Sequence, residues 1–200
     1  ATGIQCFKII PEIREFYPEP QKFDATEDSV KINFRVDETA HYLTMEVAGK
    51  KLFENQYYVP GRYKVYWDGR GADGKLVMPG NYVVRILCQG RVIGTTSVVV
   101  KGTIKSGVLA QNEHWTIEGE PYVLTSDVEI PGGGRLVIDP GVKVMPTGNY
   151  GIIAKYQNPY WHHLYAQGSS SNKILFTPHR KLFPIPDSVP QGFWKGIDFR

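Results

Sequence analysis

The sequence predicts an all-β protein in two parts. Residues 1–101 read as a two-layered β-sandwich and residues 102–200 as the stacked strands of a solenoid. Three observations lead there. Apolar residues alternate with period two in segment after segment. Gly, Pro, Asn and Asp interrupt these segments roughly every 8–12 residues, the rhythm of a sandwich. Beyond Lys105 the segments shorten and the hairpin dipeptides between them vanish, which is the texture of a repeat that stacks rather than folds back.

The first strand candidate is Cys6-Phe7-Lys8-Ile9-Ile10. Pro11, Pro18 and Pro20 follow it, and proline removes donors, so the start reads as an edge strand followed by an irregular segment. Asp24 to Asp28 is an acidic turn. Val30, Ile32, Phe34 and Val36 then point one way while Lys31, Asn33, Arg35 and Asp37 point the other, as in a half-buried antiparallel strand. Tyr42–Val47, Leu52-Phe53, Tyr57–Val59, Asn81–Leu87 and Arg91–Val100 supply further strands. Tyr63, Val65 and Trp67 share a strand face, and Trp67-Asp68-Gly69-Arg70-Gly71-Ala72-Asp73-Gly74-Lys75 reads as the hairpin that sets the sandwich register. Asp68 and Asp73 lack the alternating acids and terminal Glu of a calcium loop, so the stretch is a structural turn and no metal or other cofactor is expected.

In the second part the strand segments are Tyr122–Thr125, Val128–Ile130, Arg135–Val144, Tyr150–Ala154, Leu164–Gly168, Lys173–Thr177 and Phe193–Phe199. A solenoid needs about three or more coils and a cap at each end. Here the chain stops at Arg200 directly after a strand. It is therefore expected to be a piece of a longer protein; the alternative is a protein partner or self-association at the open end.

Composition narrows the function. The formal net charge is +3 with acids and bases interspersed, which gives no footprint for nucleic acid. No apolar run approaches the roughly 18 residues of a membrane helix, so no membrane insertion is expected. The chain opens Ala1-Thr2-Gly3, which fits either a mature secreted protein or an excised portion. Cys6 and Cys88 are far apart and in no C-x-x-C motif, arguing against zinc or redox chemistry. A disulfide between them would close a loop of about 80 residues, worth roughly 4 kcal/mol in the chain-entropy model; two buried free thiols are the alternative.

The acids of the second part, among them Glu113, Asp127, Glu129 and Asp139, are scattered singly, and no catalytic pair stands out. Asp127 and Glu129 share a strand face and read as solvated; Asp139, before Pro140-Gly141, reads as a turn former. His162 and His163 are adjacent and would face opposite ways on a strand, a poor zinc site. The stretch Tyr156-Gln157-Asn158-Pro159-Tyr160-Trp161-His162-His163-Leu164-Tyr165 is the candidate ligand-binding feature. Tyr156, Tyr160, Trp161 and Tyr165 can stack on sugar rings while His162 and His163 bond hydroxyls. The bland alternative is that these aromatics bury one another.

Two resemblances add to this reading. Pro60-Gly61-Arg62-Tyr63-x-Val65-x-Trp67-Asp68-Gly69-Arg70-x-x-Asp73-Gly74-Lys75-x-Val77-x-Pro79-Gly80-x-Tyr82 resembles the Ig-like domain of the flagellar hook-capping protein family, over roughly residues 10–100. Phe16-Tyr17-Pro18 is similar to that family's Asn-Pro-Phe-x-Pro opening, without the Asn. The resemblance implies a non-catalytic spacer or anchoring module. Trp115 with Tyr122-Val123-Leu124, then Leu136–Val142, Ala166–Phe176 and Trp194–Ile197, resemble the N-terminal coils of right-handed parallel β-helix proteins. The aromatic insertion at Tyr156–Tyr165 and the Pro-rich loop 178–192 depart from that pattern. The full expectation is an all-β chain: an Ig-like β-sandwich followed by a short, incomplete right-handed parallel β-helix. Its function would be that of a non-catalytic secreted or cell-surface structural and binding module, acting in spacing, adhesion, glycan contact or extracellular assembly in a bacterium. The alternative is the N-terminal part of a β-helix polysaccharide lyase or hydrolase whose catalytic rungs lie beyond Arg200.

Overall fold

The computed structural model describes residues 11–37, 39–154, 160–177 and 194–199. Among them all regular structure is strand, apart from one short 3-10 turn at Ile117–Gly119, and no helix is long and apolar enough to cross a membrane. The chain divides into two compact units, Ala1–Gly74 with Asn81–Val99, and Lys75–Gly80 with Val100–Arg200.

The first unit contains β1 (Glu12–Glu19), β2 (Lys22–Phe23), β3 (Val30–Asp37), β4 (His41–Val47), β5 (Lys50–Tyr58), β6 (Gly61–Trp67), β7 (Gly80–Cys88) and β8 (Arg91–Val100). One sheet has the order β1-β3-β6 and the other β2-β8-β7-β4-β5. The alternation in β3 is realised up to its last residue: Val30, Ile32, Phe34 and Val36 are buried and Lys31, Asn33 and Arg35 are not, but Asp37, expected to face outward with them, is buried between Arg14 and Arg35. Each such burial contributes about 1.5–3 kcal/mol. Phe34 joins the two layers, with its ring centroid 6.0 Å from Phe53 and 5.4 Å from Tyr58, both on β5. Phe23 and Tyr82 of the larger sheet meet the buried Trp67 edge-on at 5.8 and 5.6 Å.

Three expectations change in this unit. Residues 12–19 are an edge strand rather than irregular, with a bulge between Arg14 and Tyr17 where Glu15 takes φ 47°. Pro18 is tolerated there because an edge strand has one side without partners. Leu52-Phe53 and Tyr57-Tyr58 are parts of a single strand, β5, whose register shifts opposite β4 and whose Asn55 N–H donates to Thr44 Oγ1 at 3.0 Å.

The third change concerns Trp67–Lys75, which is not a hairpin. β6 pairs with β3, whereas β7 lies between β8 and β4 in the other sheet. The stretch carries the chain from one layer to the other. Local bonds explain why. Trp67 Nε1 donates to the Arg70 carbonyl at 2.9 Å, and Asp68 Oδ1 accepts from Arg70 N–H at 3.2 Å. Asp68 Oδ1 also accepts from Lys50 Nζ at 2.9 Å, and Ala72 N–H donates to the Ala48 carbonyl. Lys50 and Ala48 flank the β4–β5 turn, so the segment is fastened to the larger sheet instead of turning back along β6.

Cys88, at the end of β7, is buried and forms no disulfide among the described residues. Cys6, its expected partner, lies outside the described residues, as do residues 178–192 of the Pro-rich loop.

The second unit contains β9 (Thr103–Val108), β10 (Asn112–Trp115), β11 (Tyr122–Glu129), β12 (Arg135–Ile138), β13 (Lys143–Pro146), β14 (Tyr150–Ala154), β15 (His163–Ala166), β16 (Leu175–Phe176) and β17 (Trp194–Phe199). Its ladders are parallel. β12 lies between β10 and β15; β11 pairs with β9, β13 and β14; β16 and β17 extend β13 and β14. β9 bonds β11 through its backbone from Thr103 to Val108.

Parallel register stacks like side chains. Trp115 and Ile138 are aligned and buried, as are Tyr122 and Val144, and Val128 and Ile152. Trp115 and Tyr122 stack at 4.8 Å with 12° between planes. Inside the β9–β10 layer the core turns polar: Lys105 Nζ pairs with Glu113 Oε1, which also accepts from Trp115 Nε1 at 3.1 Å. At the β17 side Ile197 and Phe199, in register with the buried Ile152 and Ala154, are exposed.

Candidate functional site

The expected aromatic stretch leads into β15 and places its side chains by strand alternation. β15 pairs with β12 in the order Arg135↔His163, Leu136↔Leu164, Val137↔Tyr165, Ile138↔Ala166. Leu136 is buried and Leu164 packs against the same core. His163 and Tyr165 therefore project from the outer face. Their ring planes lie within 11°, with centroids 6.1 Å apart. Tyr160, Trp161 and Tyr165 are all exposed, Trp161 at 73%. The bland expectation, that these rings bury one another, does not describe them.

His162 parts from the group. Its Nδ1 lies 3.0 Å from the Ile130 carbonyl and therefore donates to it. Its Nε2 is buried without a hydrogen-bond partner among the described residues. It braces the segment from inside and offers nothing to a ligand on the outer face. Tyr156 lies outside the described residues. Among the described residues no three His, Cys, Asp or Glu side chains converge as a metal site would require.

The register adds residues that inspection of one stretch misses. β10 pairs with β12 as Asn112↔Arg135 and His114↔Val137. Aligned residues of a parallel ladder share a face, so Asn112, Arg135 and His163 form one outer column, and His114, Val137 and Tyr165 the next. Adjacent strands are about 4.8 Å apart. The signal was present as a recurring four-residue pattern: Asn112-Glu113-His114-Trp115, Arg135-Leu136-Val137-Ile138, His163-Leu164-Tyr165-Ala166. The second and fourth positions face inward in the first two, and the second in the third, where Ala166 is exposed.

The acids of this unit are engaged locally. His114 Nε2 lies 2.7 Å from Asp139 Oδ1. Glu120 Oε2 accepts from the Lys143 N–H at 3.2 Å. Glu118 has its carboxyl held below the usual range by the Thr116 hydroxyl and its own N–H. Asp127 accepts from Gly151 N–H at 2.9 Å and from Lys195 Nζ at 2.5 Å, so the expectation of a solvated face with Glu129 is replaced by a bond between neighbouring strands. No family model matches this chain, and neither do the curated proteins or the solved structures compared with it.

Proposed function

We propose that this chain is a non-catalytic structural and binding module of a secreted or cell-surface protein, and that the outer face around β15 contacts a glycan. In this reading the first unit is an Ig-like sandwich that acts as a spacer. The second is the N-terminal part of a right-handed parallel β-helix.

The observation that carries the proposal is the exposure of Tyr160, Trp161 and Tyr165 along residues 160–165, with the His163 imidazole 6.1 Å from the Tyr165 ring. A folded protein does not leave three large rings in water along one short stretch without a cost in apolar surface. Aromatic faces stack on the C–H faces of sugars, and the neighbouring polar tips bond hydroxyls. The engagement of Glu113, Glu120, Asp127 and Asp139 in local bonds supports a binding role over glycosidic chemistry, which calls for a pair of facing carboxyls.

The test is binding of the purified chain to an array of soluble polysaccharides, alongside Trp161→Ala and Tyr165→Ala. At least one polysaccharide is expected to be retained by the unchanged chain and lost by both variants. Retention that survives both substitutions, or none at all, would overturn the proposal.

A further inference from the structure

The outer face of β10-β12-β15 carries an uneven charge pattern, and that pattern selects a ligand class. Arg135 opens β12 and is exposed. Its guanidinium has no ion-pair or hydrogen-bond partner among the described residues. Arg14 and Arg35, by contrast, are bound to Asp37 and Arg62 to Glu15, while Arg91 on β8 is exposed and, like Arg135, has no such partner among the described residues. In the adjoining strand, directly aligned with Arg135, stands His163, also exposed and also without a hydrogen-bond partner for its ring among the described residues. Asn112 completes the column from β10.

The acidic groups of this region gather at the opposite end of the strands. Asp139 follows β12 and holds His114, and Glu118 lies near both. Asp139 is four residues beyond Arg135, which at the strand rise of about 3.3 Å per residue separates them by roughly 13 Å. Between the two ends lie Val137 and Tyr165, a flat apolar and aromatic middle.

We infer that this face is a subsite for an anionic polysaccharide. Its acidic group lies against Arg135 and His163, and its sugar ring lies over Tyr165. The inference rests on the glycan reading above and narrows it. A guanidinium bonds a carboxylate or a sulfate ester through two parallel N–H groups, and such charge-assisted pairs are about twice as strong as neutral ones. A neutral sugar would leave that fork unused. Asn112 donates to a ring hydroxyl or to the same anion. The carboxylates of Asp139 and Glu118 at the far end repel a second acidic group there, so the charge of the ligand is read at one end only.

The experiment measures binding of the full chain to alginate, dextran sulfate and unmodified dextran at about 0.05 and 0.3 M salt. Four substitutions are compared: Arg135→Gln, Arg135→Lys, Tyr165→Ala and, as a charge control on the other unit, Lys64→Gln. Circular dichroism establishes that each is folded. The polyanions are expected to bind more tightly than dextran and to weaken with salt. Arg135→Gln should lose about tenfold or more in affinity, Arg135→Lys less, and Lys64→Gln little. Binding of alginate alone assigns a carboxylate, dextran sulfate alone a sulfate ester, and both the shared anion chemistry. Equal losses in Arg135→Gln and Lys64→Gln would overturn the inference, because the attraction would then be net charge. Binding of dextran as tight as that of the polyanions, lost in Tyr165→Ala, would also overturn it while leaving the glycan reading intact. Failure to bind any of the three, with a neutral polysaccharide retained in the array, would do the same. Failure of every polysaccharide would remove both.

Discussion

The Asp127 carboxylate accepts the backbone N–H of Gly151 at 2.9 Å, joining two neighbouring parallel strands through a side chain rather than through the ladder. The bond falls where the register of β11 shifts between Leu124 and Val128, as its partner changes from β13 to β14. A bend there leaves a donor that the ladder does not satisfy, and Asp127 supplies the acceptor. Its second oxygen takes Lys195 Nζ from β17, so one acid links three strands. Asp127→Ala is expected to destabilise the second unit by about 1.5–3 kcal/mol, the range for a bond to a charged group. Asp127→Asn should recover part of that. Urea denaturation measures both, and an unchanged midpoint for Asp127→Ala would remove the role.

Gly151 is constrained from the other side as well. A Cβ at this position would sit 2.4 Å from the carbonyl oxygen of Gly196 on β17, closer than any real contact. The obstacle is backbone, so relief requires the strands to part. Gly151→Ala should cost about 1–3 kcal/mol, as overpacking does, and lower the thermal midpoint. A variant as stable as the unchanged chain would mean that β17 does not pack on β14 this closely.

The Lys105–Glu113 pair tests the polar end of the second core. Their side chains are only 23% and 13% exposed. Removing one partner strands the other charge in a poorly hydrated place, and Trp115 Nε1 keeps Glu113 from turning away. Lys105→Met alone is expected to cost about 2–3 kcal/mol. Lys105→Met with Glu113→Leu should return close to the original stability, because a buried pair contributes little over well-packed apolar groups. A double variant at least as destabilised as Lys105→Met alone would show that a stranded Glu113 charge is not the source of the loss.

Asp68 makes the first unit sensitive to acid. Burial alone would raise its carboxyl, but the Lys50 ammonium and the Arg70 N–H together hold it below the usual carboxylate range. A depressed folded value means that the stabilisation is present above the unfolded value of about 3.9 and disappears as pH falls through the folded one. Asp68→Asn should therefore be less stable than the unchanged chain near neutral pH, by no more than about 1 kcal/mol because the pair is partly exposed. The difference should close below about pH 4. A gap that persists unchanged at pH 2 would show that the charge is not its source.

Much of the fold is legible in local patterns. Val30, Ile32, Phe34 and Val36 declare a half-buried strand because a period of two leaves no other way to gather four apolar side chains on one face. The loss of hairpin dipeptides after Lys105 announces a different architecture, and the structure supplies parallel ladders there. The Trp67–Lys75 stretch was legible as a reversal rich in Gly and Asp, with Gly69 and Gly74 at φ 72° and 74°. Which sheet the chain would enter afterwards was not.

The sequence by itself determined the all-β class, the inward residues of strands with clear alternation such as β3, and the stretch in which aromatics gather. Only the tertiary structure decided that β6 and β7 belong to different sheets, that Asp127 is a link between strands rather than a solvated acid, and that His162 turns inward while His163 turns out. It alone set Arg135 beside His163. The physical reason is the same in each case. Alternation along one strand is a local property, governed by the geometry of successive Cβ atoms. The alignment of Arg135 with His163 joins residues 28 positions apart, and no pattern within either strand specifies the register that brings them together.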